Sequence, residues 1–136
     1  MIFTDTGAWY AAFVAADADH AAAAHWMAGN TPRLITTDYV IDETLTLLRS
    51  RGYGSIAVQF GGQIFAGRLA VIHYLTPTEI AAAWDVFHRF ADKEWSFTDC
   101  TSKVVMESLG IATAFSFDQH FRQFGTITVV PHPGEK

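Results

Sequence analysis

The chain is poor in cysteine, with Cys100 as the single one among 136 residues. One cysteine excludes an intramolecular disulfide and any zinc site built from several thiolates. An isolated cysteine within a helical pattern is more often a small buried hydrophobe than a reactive thiol. We therefore predict that Cys100 is a packing residue.

Long apolar runs are also missing. No stretch approaches the roughly 20 apolar residues that span a bilayer, and no cationic start leads into an apolar run typical of a signal peptide. Half of the residues are nevertheless hydrophobic, enough to bury a continuous core at this length. We expect a soluble, cytoplasmic protein. Without a recognisable linker, repeat or low-complexity tract, we expect residues 1–136 to form a single domain.

Basic residues are scarce, with nine Lys and Arg against fourteen Asp and Glu and a formal net charge of -5. Taken alone, this balance argues against a nucleic-acid partner, because phosphate backbones are usually met by an excess of positive charge. If four of the acids form a metal site, however, the other ten nearly balance the nine bases, and bound cations reverse the local field. Composition therefore leaves the substrate class open.

Short apolar segments alternate with helical patterns along the chain. The predicted strands cover residues 1–4, 34–37, 69–75, 111–117 and 127–130, and a Pro-Gly tail follows at residues 133–134. The predicted helices cover residues 8–15, 17–29, 38–51, 55–67, 77–91, 99–109 and 119–124. This alternation predicts an α/β fold, in which a parallel sheet is covered on both faces and joined by right-handed crossovers.

Helix start signals differ in strength along the chain. The clearest is a capping box at Thr76 and Glu79, with Pro77 at the first helical position. On that helix, helical spacing predicts that Trp84 and Phe87 belong to the core. Asp38 is the predicted N-cap of the helix that follows the second strand.

Four acids fall where the carboxyl ends of the predicted strands should meet, the usual position of ligands in open parallel sheets. Asp5 ends the first strand and Asp118 follows the fourth, while Glu43 lies just over one turn into a helix and Asp99 opens another. Helix capping would account for Asp99 and Asp118. It does not account for Glu43, or for Asp5 as the only charge in an apolar opening.

Carboxylates crowded together repel one another unless protons or cations intervene. Hard divalent cations such as Mg²⁺ or Mn²⁺ suit such a site, because they take oxygen ligands and keep several waters. A bound ion lowers the pKa of its water and stabilises charge that develops on a phosphate. The acids therefore indicate phosphoryl chemistry.

Four segments together carry a resemblance to a known family. They are Asp5-Thr6, residues 37–44 (TDYVIDET), residues 96–100 (SFTDC), and residues 115–121 (FSFDQHF) followed by Gly125. In order and spacing they resemble the PIN-domain family, and most closely the VapC-type toxins of type II toxin-antitoxin pairs. The resemblance covers almost the whole chain.

The resemblance implies a three-layer α/β/α sandwich with a five-stranded parallel sheet in the order 3-2-1-4-5. The implied activity is that of a Mg²⁺- or Mn²⁺-dependent endoribonuclease that cuts tRNA or rRNA and leaves a 5'-phosphate and a 3'-hydroxyl. A cognate antitoxin protein would restrain the enzyme, and many such proteins are homodimers. A surface at residues 55–67 is one candidate for the dimer contact.

The same resemblance implies roles for individual residues. The family's acidic quartet falls on Asp5, Glu43, Asp99 and Asp118, with Asp5 and Asp99 as the expected direct metal ligands. The hydroxyls expected to orient carboxylates or waters are those of Thr6, Thr98 and Ser116. Relatives often carry threonine where this chain has Ser116.

Several other polar residues suggest weaker hypotheses. His120 could be imagined as a general acid, but relatives manage without a histidine in that role. His20 and His25 are five residues apart, which does not place both on one helical face as a zinc pair requires. Lys103 is one turn beyond Asp99, and we predict a surface pair with Glu107 rather than a phosphate contact.

Two other classes of function remain open from the sequence. A non-catalytic PIN-like module that binds RNA or a partner is one, although such degenerate relatives usually lose acids and all four are present here. A phosphoaspartate protein that uses Asp5 is the other. A phosphatase of that kind needs a second aspartate at position 7, where this chain has Gly7.

Overall fold

The structure, a computed structural model, describes residues 1–132. Its strands are β1 (Ile2–Thr4), β2 (Leu34–Thr37), β3 (Val71–His73), β4 (Thr113–Phe115) and β5 (Thr128–Val130). Its helices are α1 (Thr6–Phe13), α2 (His20–Gly29), α3 (Asp38–Ser50), α4 (Gly54–Phe65), α5 (Pro77–Arg89) and α6 (Phe97–Leu109), with 3₁₀ turns at Ala91–Lys93 and Gln119–Gln123. None of these helices is long and apolar enough to cross a membrane. The predicted Pro-Gly tail lies outside the described residues.

All five strands are parallel and stand in the order β3-β2-β1-β4-β5. The predicted three-layer α/β/α fold and strand order are therefore confirmed. The chain runs outward from β1 in one direction to β2 and β3 and in the other to β4 and β5, so the order reverses beside β1. The carboxyl ends of β1 and β4 meet at this switch point, the usual position of a ligand site in such sheets.

The core packs around the central strand and the first helix. Phe3, Trp9, Phe60 and Phe115 are fully buried, and the rings of Trp9 and Phe60 lie 5.5 Å apart. The indole Nε1 of Trp9 donates to Thr36 Oγ1 at 3.3 Å, and that hydroxyl donates to the Thr4 carbonyl at 3.0 Å. This buried chain of hydrogen bonds ties the end of β1 to β2, directly before Asp5.

The prediction of Asp38 as a helix cap was wrong by one residue. Thr37 has the extended backbone of an N-cap, and its hydroxyl accepts the Val40 N–H at 3.1 Å. Asp38 is the first helical residue, and its carboxylate accepts the Leu75 N–H at 2.9 Å. That bond also bears on why β3 ends before Leu75, because the Leu75 amide donates to a side chain rather than to a neighbouring strand.

The expected core face of α5 was also wrong. Trp84 is 58% exposed and Phe87 is 40% exposed, whereas Ala83 and Val86 are buried. The packing of α5 against α6 selects this face, one residue earlier than the aromatic pattern suggests. Cys100, in contrast, is buried on α6 as predicted, and burial raises the pKa of its thiol to about 11.

Candidate functional site

A cavity of about 280 Å³ opens at the switch point of the sheet. Its walls include all four predicted acids and two of the three predicted hydroxyl residues: Asp5, Glu43, Asp99, Asp118, Thr6 and Thr98. The fold therefore brings together groups that lie up to 113 positions apart in the sequence. A larger groove of about 510 Å³ lies between α3 and α4, but its lining residues contain no carboxylate. Of these two, the smaller cavity is therefore the candidate site for a metal ion.

Asp5 is held from both sides at the end of β1. One carboxylate oxygen, Oδ1, accepts the Ala8 N–H at 2.9 Å and so caps α1, while Oδ2 accepts the Ser116 hydroxyl at 2.7 Å. The expectation that capping would not account for Asp5 was thus wrong. The residue is only 6% exposed. Burial raises the pKa of its carboxyl to about 7, against the lowering effect of the two hydrogen bonds.

Glu43 projects from α3 toward the same cavity. Its Oε1 accepts the hydroxyl hydrogen of Thr6, which lies at the start of α1. Partial burial is the main cause that raises the pKa of this carboxyl, and the nearby charge of Asp99 adds to it, while the hydroxyls of Thr6 and Thr98 favour the charged form. Glu43 is therefore a half-buried carboxylate with hydroxyl partners, and it is not a helix cap.

Asp99 lies in the first turn of α6 rather than at its cap. Ser96 is the N-cap, and its hydroxyl accepts the Asp99 N–H at 3.0 Å. In the reciprocal hydrogen bond of this capping box, Asp99 Oδ2 accepts the Ser96 N–H at 3.1 Å. The predicted helix start at Asp99 was therefore wrong by two residues, because this capping box begins the helix earlier. The box fixes the carboxylate at the rim of the cavity.

Asp118 caps the 3₁₀ turn that follows β4, as the sequence suggested. Its Oδ1 accepts the His120 N–H at 2.9 Å. Its own amide donates to Ser116 Oγ at 3.0 Å. Because a hydroxyl both donates and accepts, Ser116 connects Asp118 to Asp5 through one oxygen atom. Ser116 is nearly fully buried, so this link is shielded from solvent.

Two further residues belong to the surroundings of the acids, although the sequence did not assign them. The Nδ1 atom of His120 lies 3.1 Å from Asp99 Oδ2 and 3.4 Å from Asp118 Oδ1. Ser102, one turn after Asp99, is nearly buried and lines the cavity. Two sequence features could have indicated these residues: His120 follows Asp118 by two positions, and Ser102 follows Asp99 by about one helical turn.

The one lysine of α6, Lys103, forms an ion pair with a glutamate on the same helix. Lys103 Nζ binds Glu107 Oε1 across one helical turn, which confirms the predicted surface pair. The Lys103 side chain is 16% exposed, against 61% for Glu107. Glu107 therefore neutralises part of the positive charge that Lys103 could offer to the acids.

The donor set fits a hard divalent cation. Carboxylate oxygens from four residues surround one small cavity, and hydroxyls stabilise several of them. Burial raises the pKa values of Asp5 and Glu43, and the nearby charges of Asp99 and Asp118 add to this effect, so the ionised carboxylates are disfavoured unless a positive charge lies close to them. A dication in the cavity would favour the ionised carboxylates, and Mg²⁺ and Mn²⁺ prefer such oxygen ligands.

Comparison with known proteins gives a consistent set of relatives. The PIN domain profile matches residues 2–127. A 23S rRNA-specific endonuclease, VapC20, from two strains of Mycobacterium tuberculosis is 35% identical over 131 residues, which cover 96% of this chain and 99% of the relative. A VapC ribonuclease from Archaeoglobus fulgidus is 32% identical over 123 residues, 86% of this chain and 76% of the relative.

A solved structure is similar to this chain at about the same level of sequence identity as these relatives. The crystal structure of Mycobacterium tuberculosis VapC20, described as a toxin that cleaves the sarcin-ricin loop, superposes with a TM-score of 0.87 at 33% sequence identity. The match covers 93% of this chain and 97% of that one. The structural likeness therefore extends over most of the fold, and the family match over residues 2–127 includes all four acids.

Proposed function

Because this chain belongs to the PIN-domain family and its relatives are VapC ribonucleases, we propose that it is a metal-dependent endoribonuclease and the toxin of a toxin-antitoxin pair. The observation that carries the metal-dependent part is the convergence of four carboxylates, two of them with raised pKa values, on one cavity. All four acids are present in this chain, whereas non-catalytic PIN-like modules usually lose some of them.

The proposed ligands of Mg²⁺ or Mn²⁺ are the acidic residues Asp5, Glu43, Asp99 and Asp118. When bound, the metal activates a water and stabilises charge on the scissile phosphate. The hydroxyls have a positioning role: Ser116 fixes Asp5 and the turn at Asp118, and Thr6 orients Glu43. Thr98, on the cavity wall beside Asp99, completes this group.

The proposed substrate is 23S rRNA, at the sarcin-ricin loop. The support is that the VapC20 relative is a 23S rRNA-specific endonuclease that cleaves the sarcin-ricin loop, together with similarity over nearly the full length of both chains. The net charge of -5 makes the dication important for substrate binding as well, because an RNA phosphate would otherwise meet a negative cavity. Hydrolysis of this type is expected to leave a 5'-phosphate and a 3'-hydroxyl.

Several further features belong to the same proposal. A cognate antitoxin protein would restrain the enzyme, and residues 1–136 would form one nuclease domain that acts in the cytoplasm as a homodimer. The VapC type of the relatives supports the antitoxin. The dimer would be detected by the mass of the purified protein in solution.

Mapping of the cleaved RNA tests the substrate directly. Purified protein and Mn²⁺ are incubated in three parallel reactions, with intact ribosomes, with deproteinised 23S rRNA and with total tRNA. Primer extension then locates the new RNA ends. We expect one dominant cut in 23S rRNA with a 5'-phosphate that allows ligation. A dominant cut in tRNA would contradict the proposed substrate but not the ribonuclease. An absence of cleavage in every RNA would contradict the proposed function itself.

A further inference from the structure

His120 stands in direct contact with two of the four acids, although it is not one of the predicted ligands. It lies in the 3₁₀ turn that Asp118 caps, and its ring contacts Asp99 at the start of α6. As a result the imidazole Nδ1 faces Asp99 and Asp118 at once, at 3.1 and 3.4 Å. Its side chain is 28% exposed, so the contact is at the open rim of the site.

These separations suit three ligands of one metal ion. Mg²⁺ holds its ligands at about 2.0–2.1 Å in an octahedral arrangement, which places adjacent ligand atoms about 3 Å apart. The two distances from His120 Nδ1 are close to this value. The three potential ligand atoms of Asp99, Asp118 and His120 all lie within 4.8 Å of one another. A cation could therefore be bound at this rim with little movement of the three side chains.

We propose that His120 Nδ1 is a direct ligand of the catalytic metal, beside Asp99 and Asp118, and that this nitrogen makes the site prefer Mn²⁺ over Mg²⁺. The inference rests on the proposed function, since it concerns the metal of that same site. Mn²⁺ shares the carboxylate and water ligands of Mg²⁺, but as a first-row transition metal it accepts an imidazole nitrogen more readily than Mg²⁺ does. In this arrangement Nε2 carries the ring proton and Nδ1 offers its lone pair to the ion.

A second explanation of the same contacts needs no metal bond. A protonated His120 would form ion pairs with Asp99 and Asp118 and would compensate part of their charge. Removal of His120 would then change the affinities for Mg²⁺ and Mn²⁺ to the same extent, since an ion pair does not distinguish between the two dications. The two explanations are therefore separated by comparing how much the affinity for each metal falls, and not by a loss of affinity for one metal alone.

The test combines a spectroscopic and a thermodynamic measurement on the full chain. Pulsed electron paramagnetic resonance of the Mn²⁺-loaded protein detects a directly bound ¹⁴N nucleus, and calorimetry gives the affinities for Mn²⁺ and Mg²⁺. We expect a ¹⁴N coupling in the unmodified protein that disappears in His120→Ala. The same substitution should weaken Mn²⁺ binding by about tenfold or more and change Mg²⁺ binding by less than about twofold.

His25→Ala is the matched control, since His25 is an exposed histidine on α2 and should retain both the coupling and the affinities. The measurement on the unmodified protein does not depend on how well a variant folds. If Mn²⁺ binds without a ¹⁴N coupling, or if both metals lose affinity equally in His120→Ala, the inference is overturned while the proposed function stands. If neither metal binds the unmodified protein, the proposed function fails, and this inference with it.

Discussion

Replacement of Asp99 by asparagine is expected to lower the rate of RNA cleavage by at least about a thousandfold. A metal ion contributes several kcal/mol of charge stabilisation in phosphoryl chemistry, and each 1.4 kcal/mol corresponds to a factor of ten. The asparagine oxygen can still accept the Ser96 N–H, so the capping box of α6 should survive. The negative charge, which the metal requires, is what the substitution removes. Cleavage of 23S rRNA under single-turnover conditions measures the effect.

Asp42→Asn provides the matched control, because Asp42 is an exposed carboxylate on α3, next to Glu43 in sequence. This variant should cleave RNA within about twofold of the unmodified protein, as expected for a surface substitution. Both variants should also unfold at similar temperatures. A folded Asp99→Asn protein that keeps more than about a tenth of the activity would show that this carboxylate is not essential to the chemistry.

The second large effect concerns the stability of the metal-free protein, which should fall as the pH rises from about 4 to about 7. Asp5 has a reference pKa of 3.8 that burial raises to about 7 in the folded protein. Between these values the folded state holds a proton that the unfolded state has lost, so the slope of stability with pH is negative. The contribution is on the order of a few kcal/mol, fully present below pH 4 and absent above pH 7.

Asp5→Asn isolates this contribution, since the amide cannot ionise and asparagine is also a favourable helix cap. In urea denaturation with EDTA, the unmodified protein should lose stability relative to Asp5→Asn between pH 5 and pH 8. At pH 8, Mn²⁺ should restore stability to the unmodified protein and much less to the variant. Parallel pH profiles for the two proteins would contradict the raised pKa, and Asp42→Asn should retain the slope of the unmodified protein.

The structure also bears on the phosphoaspartate alternative. A nucleophilic aspartate needs an oxygen that can approach a substrate, but both oxygens of Asp5 accept hydrogen bonds, from Ala8 N–H and from the Ser116 hydroxyl. The side chain is also almost completely buried. Asp5 is therefore poorly placed to attack a phosphate.

The sequence was sufficient to predict the strand alternation and the position of the acids, because both depend on local patterns. Apolar segments such as Leu34–Thr37 predict buried strands, and an acid directly after a strand must lie at the carboxyl edge of a parallel sheet. The order of the strands came from the family resemblance, since periodicity alone does not specify which strands are neighbours. VapC-type membership was predicted in the same way and is confirmed by the relatives.

Other features depend on contacts between distant segments and were not predictable. The choice of Thr37 over Asp38 as a cap follows from the bond between Asp38 and Leu75, which are 37 positions apart. The exposure of Trp84 follows from how α5 packs on α6. The contact between His120 and Asp99 requires the 3₁₀ turn after β4 to lie against the start of α6. Each of these features depends on a tertiary contact that local sequence patterns do not specify.

The dependence of RNA cleavage on metal tests the central claim most directly. Protein freed of metal by EDTA and dialysis is mixed with 23S rRNA, and cleavage is followed as Mn²⁺ or Mg²⁺ is added back. Four carboxylates in one cavity predict no cleavage without metal and recovery that saturates as the site fills. Cleavage that continues unchanged in excess EDTA would contradict a metal-dependent mechanism at Asp5, Glu43, Asp99 and Asp118.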